Sequence, residues 1–131
     1  MRQQRDLKPV AWIGSSKKDL KKFPEIVQES IGDAIQEVQY GRKPLSAKPL
    51  SGFHGAGVLE IIDNHDGDTY RAVYTVRFAE VIYVLHAFQK KSRHGIQTPK
   101  QEMELVHIRL RAAETAYQEW LAARQQKEEE E

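Results

Sequence analysis

The 131-residue chain contains no cysteine. That removes a disulfide scaffold, a thiol nucleophile and thiolate-bound zinc or iron–sulfur centres. It also lacks any apolar run near the ~18 residues of a membrane-crossing helix. Arg2, Arg5 and Lys8 near the start are not followed by the apolar stretch of an export signal. A cytoplasmic protein with no membrane partner is therefore the expectation. Glycine-rich phosphate loops are missing too: Gly52, Gly55 and Gly57 precede a strand-like run, whereas a nucleotide fingerprint opens a helix. No nucleophile elbow occurs. The five histidines, at 54, 65, 86, 94 and 107, show no ligand spacing on a helix. Asp63, Asp66 and Asp68 around Gly67 lack the spacing of a calcium loop, and Val73 stands where its closing glutamate would be. A polar hairpin turn is expected there, and neither metal nor cofactor anywhere.

With 40% hydrophobic residues the composition suits a packed core, and this length suits one domain. That domain should span residues 1–126. Residues 127–131, Lys127 followed by four glutamates, read as an acidic, frayed tail. Without it the chain carries 19 positive against 15 negative side chains. Such an excess permits a polyanionic partner without announcing one.

Leu7 to Ile13 is short, apolar and closed by Gly14, which predicts a first strand with Pro9 near its start. Ser16 and Asp19 resemble a capping box for a helix, and Pro24 opens a second one after a break at Phe23. Ile26 or Val27, Ile31, Ala34, Ile35 and Val38 then recur at helical spacing until Gly41. Gly32 within that helix points to close packing or a small bend. Residues 41–56 have no period and form a long connection. Three strand-like runs follow, Val58 to Ile62, Thr69 to Phe78 and Val81 to Phe88, as an antiparallel meander. Thr98 and Pro99 then cap a last helix with Met103, Val106, Leu110, Ala113, Tyr117 and Trp120 or Leu121 on its apolar face. The expected class is α/β (α+β), a twisted, mostly antiparallel sheet in the order β-α-α-β-β-β-α.

Alternation places Arg71, Val73, Thr75 and Arg77 on one face of the strand after the acidic turn. A two-residue turn at Ala79-Glu80 would set Phe78 opposite Val81 and Arg71 opposite Phe88. Arg71, His86, Phe88 and Lys90 then share one exposed sheet face, with Lys91, Arg93 and His94 in the loop beyond. Guanidinium groups bind phosphate in bidentate fashion and stabilise charge developing on phosphorus. Phe88 offers a plane for an unpaired base, and His86 can exchange a proton with a ribose hydroxyl. Each residue type also has an ordinary structural use: solvated sheet cations, a hydrogen-bonded core histidine, a core phenylalanine.

The run Asp66-Gly67-Asp68-Thr69-Tyr70-Arg71-Ala72-Val73-Tyr74, then Val84 to Lys91, then Gly95, Thr98 and Pro99, resembles the RelE/ParE toxin superfamily. It is most similar to the phage-derived, HigB-like branch of type II toxin–antitoxin toxins, well over residues 55–110 and by element order before that. The resemblance implies a RelE-like fold with a concave RNA face. It also implies metal-independent cleavage of messenger RNA in the ribosome, and inhibition of translation. A cognate helix-turn-helix antitoxin would neutralise the toxin. Arg71, His86, Lys90 and Lys91 would be catalytic, and Arg77, Phe88, Arg93 and His94 would bind RNA. The chain departs from RelE where Glu60 replaces strand lysines that take part in catalysis, and Tyr117 falls inside a helix where RelE has a C-terminal tyrosine. Those departures leave open a ParE-like gyrase inhibitor that does not cleave, or a degenerate member that only binds. The antitoxin could cover the Arg71 face, or grip the N-terminal helices and exclude the toxin from the ribosome by bulk.

Overall fold

The computed structural model describes residues 7–55, 57–90 and 98–130. Five strands form one sheet in the order β1-β5-β4-β3-β2, with β1 Val10–Trp12, β2 Ala47–Pro49, β3 Val58–His65, β4 Asp68–Thr75 and β5 Ile82–Lys90. β1 runs parallel to β5 and every other pairing is antiparallel. The helices are α1 Ser16–Leu20, α2 Glu25–Gln39 and α3 Lys100–Glu130. The expected order is present with one addition: β2, within the connection read as having no period, pairs with β3 through Ala47–Ile61 and Pro49–Leu59. Three residues are too few to show alternation, and β3 supplies the register that the sequence does not.

β4 is central, as its apolar residues on both faces require. Tyr70, Ala72 and Tyr74 face a core shared with Val27, Ile31, Ala34, Ile35 and Val38 of α2. Val73 faces a second core shared with Val106, Leu110 and Ala113 of α3. Two-sided cover makes each sheet face an interior. The acidic segment is the expected hairpin turn: His65 pairs with Asp68, and Asp66 and Gly67 both have positive φ, 52° and 84°. That is the two-residue turn whose twist matches a right-handed β-ribbon.

Several local expectations shift. Ser15, not Ser16, is the α1 cap position, and its hydroxyl donates to Asp19 Oδ2 at 2.7 Å. The Ser16 hydroxyl is buried and donates to the Val84 carbonyl. Pro24 sits at the α2 cap position, one place before the helix. Of the two alternatives Ile26 and Val27, Val27 is the buried one and Ile26 is 60% exposed. Gly32 is exposed with nothing within 4 Å of where a Cβ would lie, so close packing does not explain it. Lys127 to Glu130 continue α3 as exposed helix. The stretch from Ala122 is rich in good helix formers, and Arg124 pairs with Glu128 one turn on.

Candidate functional site

β4 and β5 determine which side chains meet. Arg71 lies opposite Phe88, Val73 opposite His86 and Thr69 opposite Lys90. The expected pairing of Arg71 with Phe88 is therefore present, but the two-residue turn at Ala79-Glu80 is not. β4 stops at Thr75, residues 76–81 connect it to β5, and a bulge between Val73 and Tyr74 shifts the register so that Tyr74 faces Val84. Leu85 is the extra residue on β5. Bulges re-aim neighbouring side chains, and this one adjoins His86.

The shared face is not open to solvent. Arg71, His86, Phe88 and Lys90 are 4%, 4%, 7% and 8% exposed; the start of α3 lies over part of this face, with Glu102 and Arg109 on His86 and Val106 in the core that holds Phe88. An uncovered sheet face was the expectation, and the fold overturns it: periodicity locates a face without revealing what lies on it. Phe88 stacks on the His86 ring at 5.1 Å and presents no free plane. Arg77 is exposed two residues beyond the end of β4, at the opposite end of the sheet from Lys90, so it does not join the group. Lys91, Arg93 and His94 lie outside the described residues.

Glu60, read from the sequence only as a departure from RelE, proves to be part of this group. It is 2% exposed, opposite Val73, and its Oε1 accepts a hydrogen bond from Arg71 Nη1 at 2.9 Å. Thr98 is not set to cap α3; its hydroxyl lies 3.4 Å from both Arg71 Nη1 and Glu60 Oε2. A carboxylate two residues into an apolar strand was the available signal, since such a charge is rarely buried without a partner. Burial, then the neighbouring Arg71, push the Lys90 ammonium below its ordinary range, with Glu60 opposing and Lys48 reinforcing the fall.

His86 is held from α3. Its Nε2 lies 2.5 Å from Glu102 Oε1, and its Nδ1 lies 3.1 Å from Arg109 Nη1. Arg109 also donates to the Leu85 carbonyl at 3.1 Å and, through Nη2, to Ser15 Oγ at 2.9 Å. The face thus carries Arg71, Lys90, His86 and Arg109 against Glu60 and Glu102. These are side chains of the kinds that bind an anion or transfer a proton. Among the described residues no group of three or more histidines and carboxylates is placed to hold a metal ion, and no helix is long and apolar enough to cross a membrane.

Residues 18–111 match the model of a family described as phage-derived protein Gp49-like (DUF891). No curated protein matches the chain. Among solved structures, a mutant of the Escherichia coli toxin RelE in the free state is similar at 20% identity, with 62% of this chain and 81% of that one covered and a TM-score of 0.49. The toxin–antitoxin complex RelBE2 of Mycobacterium tuberculosis is similar at 21% identity, covering 64% and 99%, with a TM-score of 0.45. Both are distant likenesses.

Proposed function

This chain belongs to the phage-derived Gp49-like family, and from that premise we propose that it is the toxin of a type II toxin–antitoxin pair, a metal-independent endoribonuclease of HigB-like type that cuts messenger RNA on the ribosome. The observation that carries the reading is the register of β4 on β5. It gathers Arg71, Lys90 and His86 at one end of one face, with a lysine whose ammonium is already destabilised. A lysine with a lowered pKa transfers protons more readily near neutrality. A guanidinium beside it stabilises charge on a phosphorane-like transition state. Lys91, Arg93 and His94, next in the sequence, would add positive charge for RNA, and Phe88 would stack a base only after leaving His86.

One observation favours a second reading. Arg71 is buried against Glu60, and a phosphate would have to displace that carboxylate. A chain that binds its target without cutting, as a ParE-like gyrase inhibitor or a degenerate member of the family would, fits this pair better. Full-length messages in a translating extract dosed with the protein, alongside inhibited gyrase supercoiling, would establish that reading. Message fragments that appear only with ribosomes present establish the first.

The partner in this reading is a helix-turn-helix antitoxin. α3 already covers the Arg71 face, whereas α2 turns Glu25, Ile26, Glu29, Asp33 and Glu37 outward. A groove of about 570 Å³ lies between that helix and Lys43 to Ser46. This supports an antitoxin that grips the N-terminal helices and acts by bulk.

A further inference from the structure

We infer that Arg109 is a positioning residue that fixes the hydrogen of His86 on Nε2 and aims it at Glu102, so that His86 in turn orients the Glu102 carboxylate. The donor pattern allows one assignment. Every guanidinium nitrogen is a donor and none accepts. At 3.1 Å from Arg109 Nη1, His86 Nδ1 must therefore be the acceptor. A ring with a bare Nδ1 carries its hydrogen on Nε2, which lies 2.5 Å from a carboxylate oxygen of Glu102. Hydrogen on Nδ1 would set two donors against each other in a buried site. The ring's own dipole agrees, with its lone pair toward the cation and its N–H toward the anion.

The fold holds Arg109 in place from three further directions. Because Leu85 is the bulged residue, its carbonyl is turned away from β4 and accepts the second hydrogen of Arg109 Nη1 at 3.1 Å. Nη2 donates at 2.9 Å to Ser15 Oγ, which donates in turn to Asp19 Oδ2 at 2.7 Å. A Cβ at Gly14 would lie 2.8 Å from Arg109 Nε, and Gly14 has φ +58° besides, so that position demands glycine on both counts. Donation therefore runs outward from one cation to two carboxylates, through a serine on one side and an imidazole on the other. The side chain of Glu102 is 30% exposed against 6% for His86. Glu102 is thus the end of the chain that meets solvent, and this carboxylate, held by the His86 N–H, is the group placed to accept a proton from a ribose hydroxyl in the proposed cleavage, in place of His86 itself.

Long-range proton–nitrogen spectra of the histidine rings in the full-length protein test the assignment. His86 should show a protonated Nε2 and a bare Nδ1. Arg109→Met should lose that signature, and Arg109→Lys, which keeps one donor for Nδ1, should restore it in part. A wild-type ring protonated on Nδ1 overturns the inference even if neither variant folds, and so does an unchanged signature in a folded Arg109→Met. The consequence for catalysis rests on the proposed cleavage: Glu102→Gln should keep the Nε2–H signature, because an amide oxygen still accepts, yet lower message cleavage ~100-fold or more. Full cleavage by Glu102→Gln overturns the role of Glu102 as proton acceptor. If the wild type cuts nothing, the endoribonuclease reading and the proton-acceptor role of Glu102 fail together while the spectra still decide the role of Arg109.

Discussion

Arg71 and Glu60 show how a candidate functional residue can also be a structural one. Each is nearly inaccessible, and the two form an ion pair. Arg71→Ala would leave the Glu60 carboxylate buried without this partner, a defect that costs ~3–5 kcal/mol. The variant should therefore melt well below wild type as well as lose cleavage, and activity loss alone would not assign a catalytic role. The paired change Glu60→Leu with Arg71→Met should recover most of the stability in thermal melts. It should stay inactive if Arg71 stabilises the transition state. Recovery of neither stability nor activity by any combination would show that the ion pair is not the source of the defect.

Two titrations at the residue scale have opposite signs. The folded protein holds Lys90 below its ordinary pKa, so between that lowered value and the ordinary 10.5 the unfolded chain binds more protons. Stability contributed by this residue rises with pH across that window. Burial pushes Tyr74 up to about 12, so between about 10 and 12 the folded state holds the proton that the unfolded chain releases. Stability then falls with pH, by a total on the order of 3 kcal/mol. Denaturant melts of wild type and Tyr74→Phe between pH 9 and 12 should diverge only in the upper part of this range. Parallel curves would contradict the burial of that hydroxyl.

At the scale of elements, α2 contains an unforced weakness. Gly32 is exposed, has no neighbour near its Cβ direction and sits mid-helix, so Gly32→Ala should stabilise the protein by ~0.5–1 kcal/mol. A lower melting temperature would mean that a contact absent from the fold fills that position. Glu25, Glu29, Asp33 and Glu37 follow at four-residue steps on the same exposed side. Like charges at that spacing repel by ~0.2–0.5 kcal/mol per pair. Their retention costs the isolated helix stability and suits a surface that meets a cationic partner. β3 and β4 are in the reverse situation, since their turn needs positive φ at Asp66 and Gly67. Gly67→Ala should weaken the hairpin by ~1 kcal/mol.

For the whole molecule, the cover of α3 over the Arg71 face makes partner binding and substrate access separate problems. With a bound antitoxin, hydrogen exchange should slow over residues 15–40, with α2 at the centre, and the complex should weaken with salt as its carboxylates are screened. Slowing centred on residues 71–90 would mean instead that the antitoxin covers the Arg71 face. The helical end of α3 beyond Leu121 is exposed throughout its described length and contributes one surface pair to Glu80 through Arg124. Removing residues 127–131 should shift stability by less than ~1 kcal/mol.

The sequence alone determined the elements with strong periods: the α2 stripe from Val27 to Val38, the Asp66-Gly67 turn, the central place of β4, and the alternation that puts Arg71, His86 and Lys90 on one face. These are local patterns of period 3.6 or 2, written in adjacent residues. Pairing partners many residues apart were decided by the tertiary structure. β2 exists only because β3 lies beside it. The bulge at Leu85 replaced the tight turn at Ala79-Glu80 while leaving Arg71 opposite Phe88. Burial of the candidate site was decided by α3, whose Glu102 and Arg109 lie 16 and 23 positions from His86 in sequence. The carboxylate on Arg71 comes from 11 positions away. A strand's alternation specifies which way a side chain points, and only packing specifies what it meets.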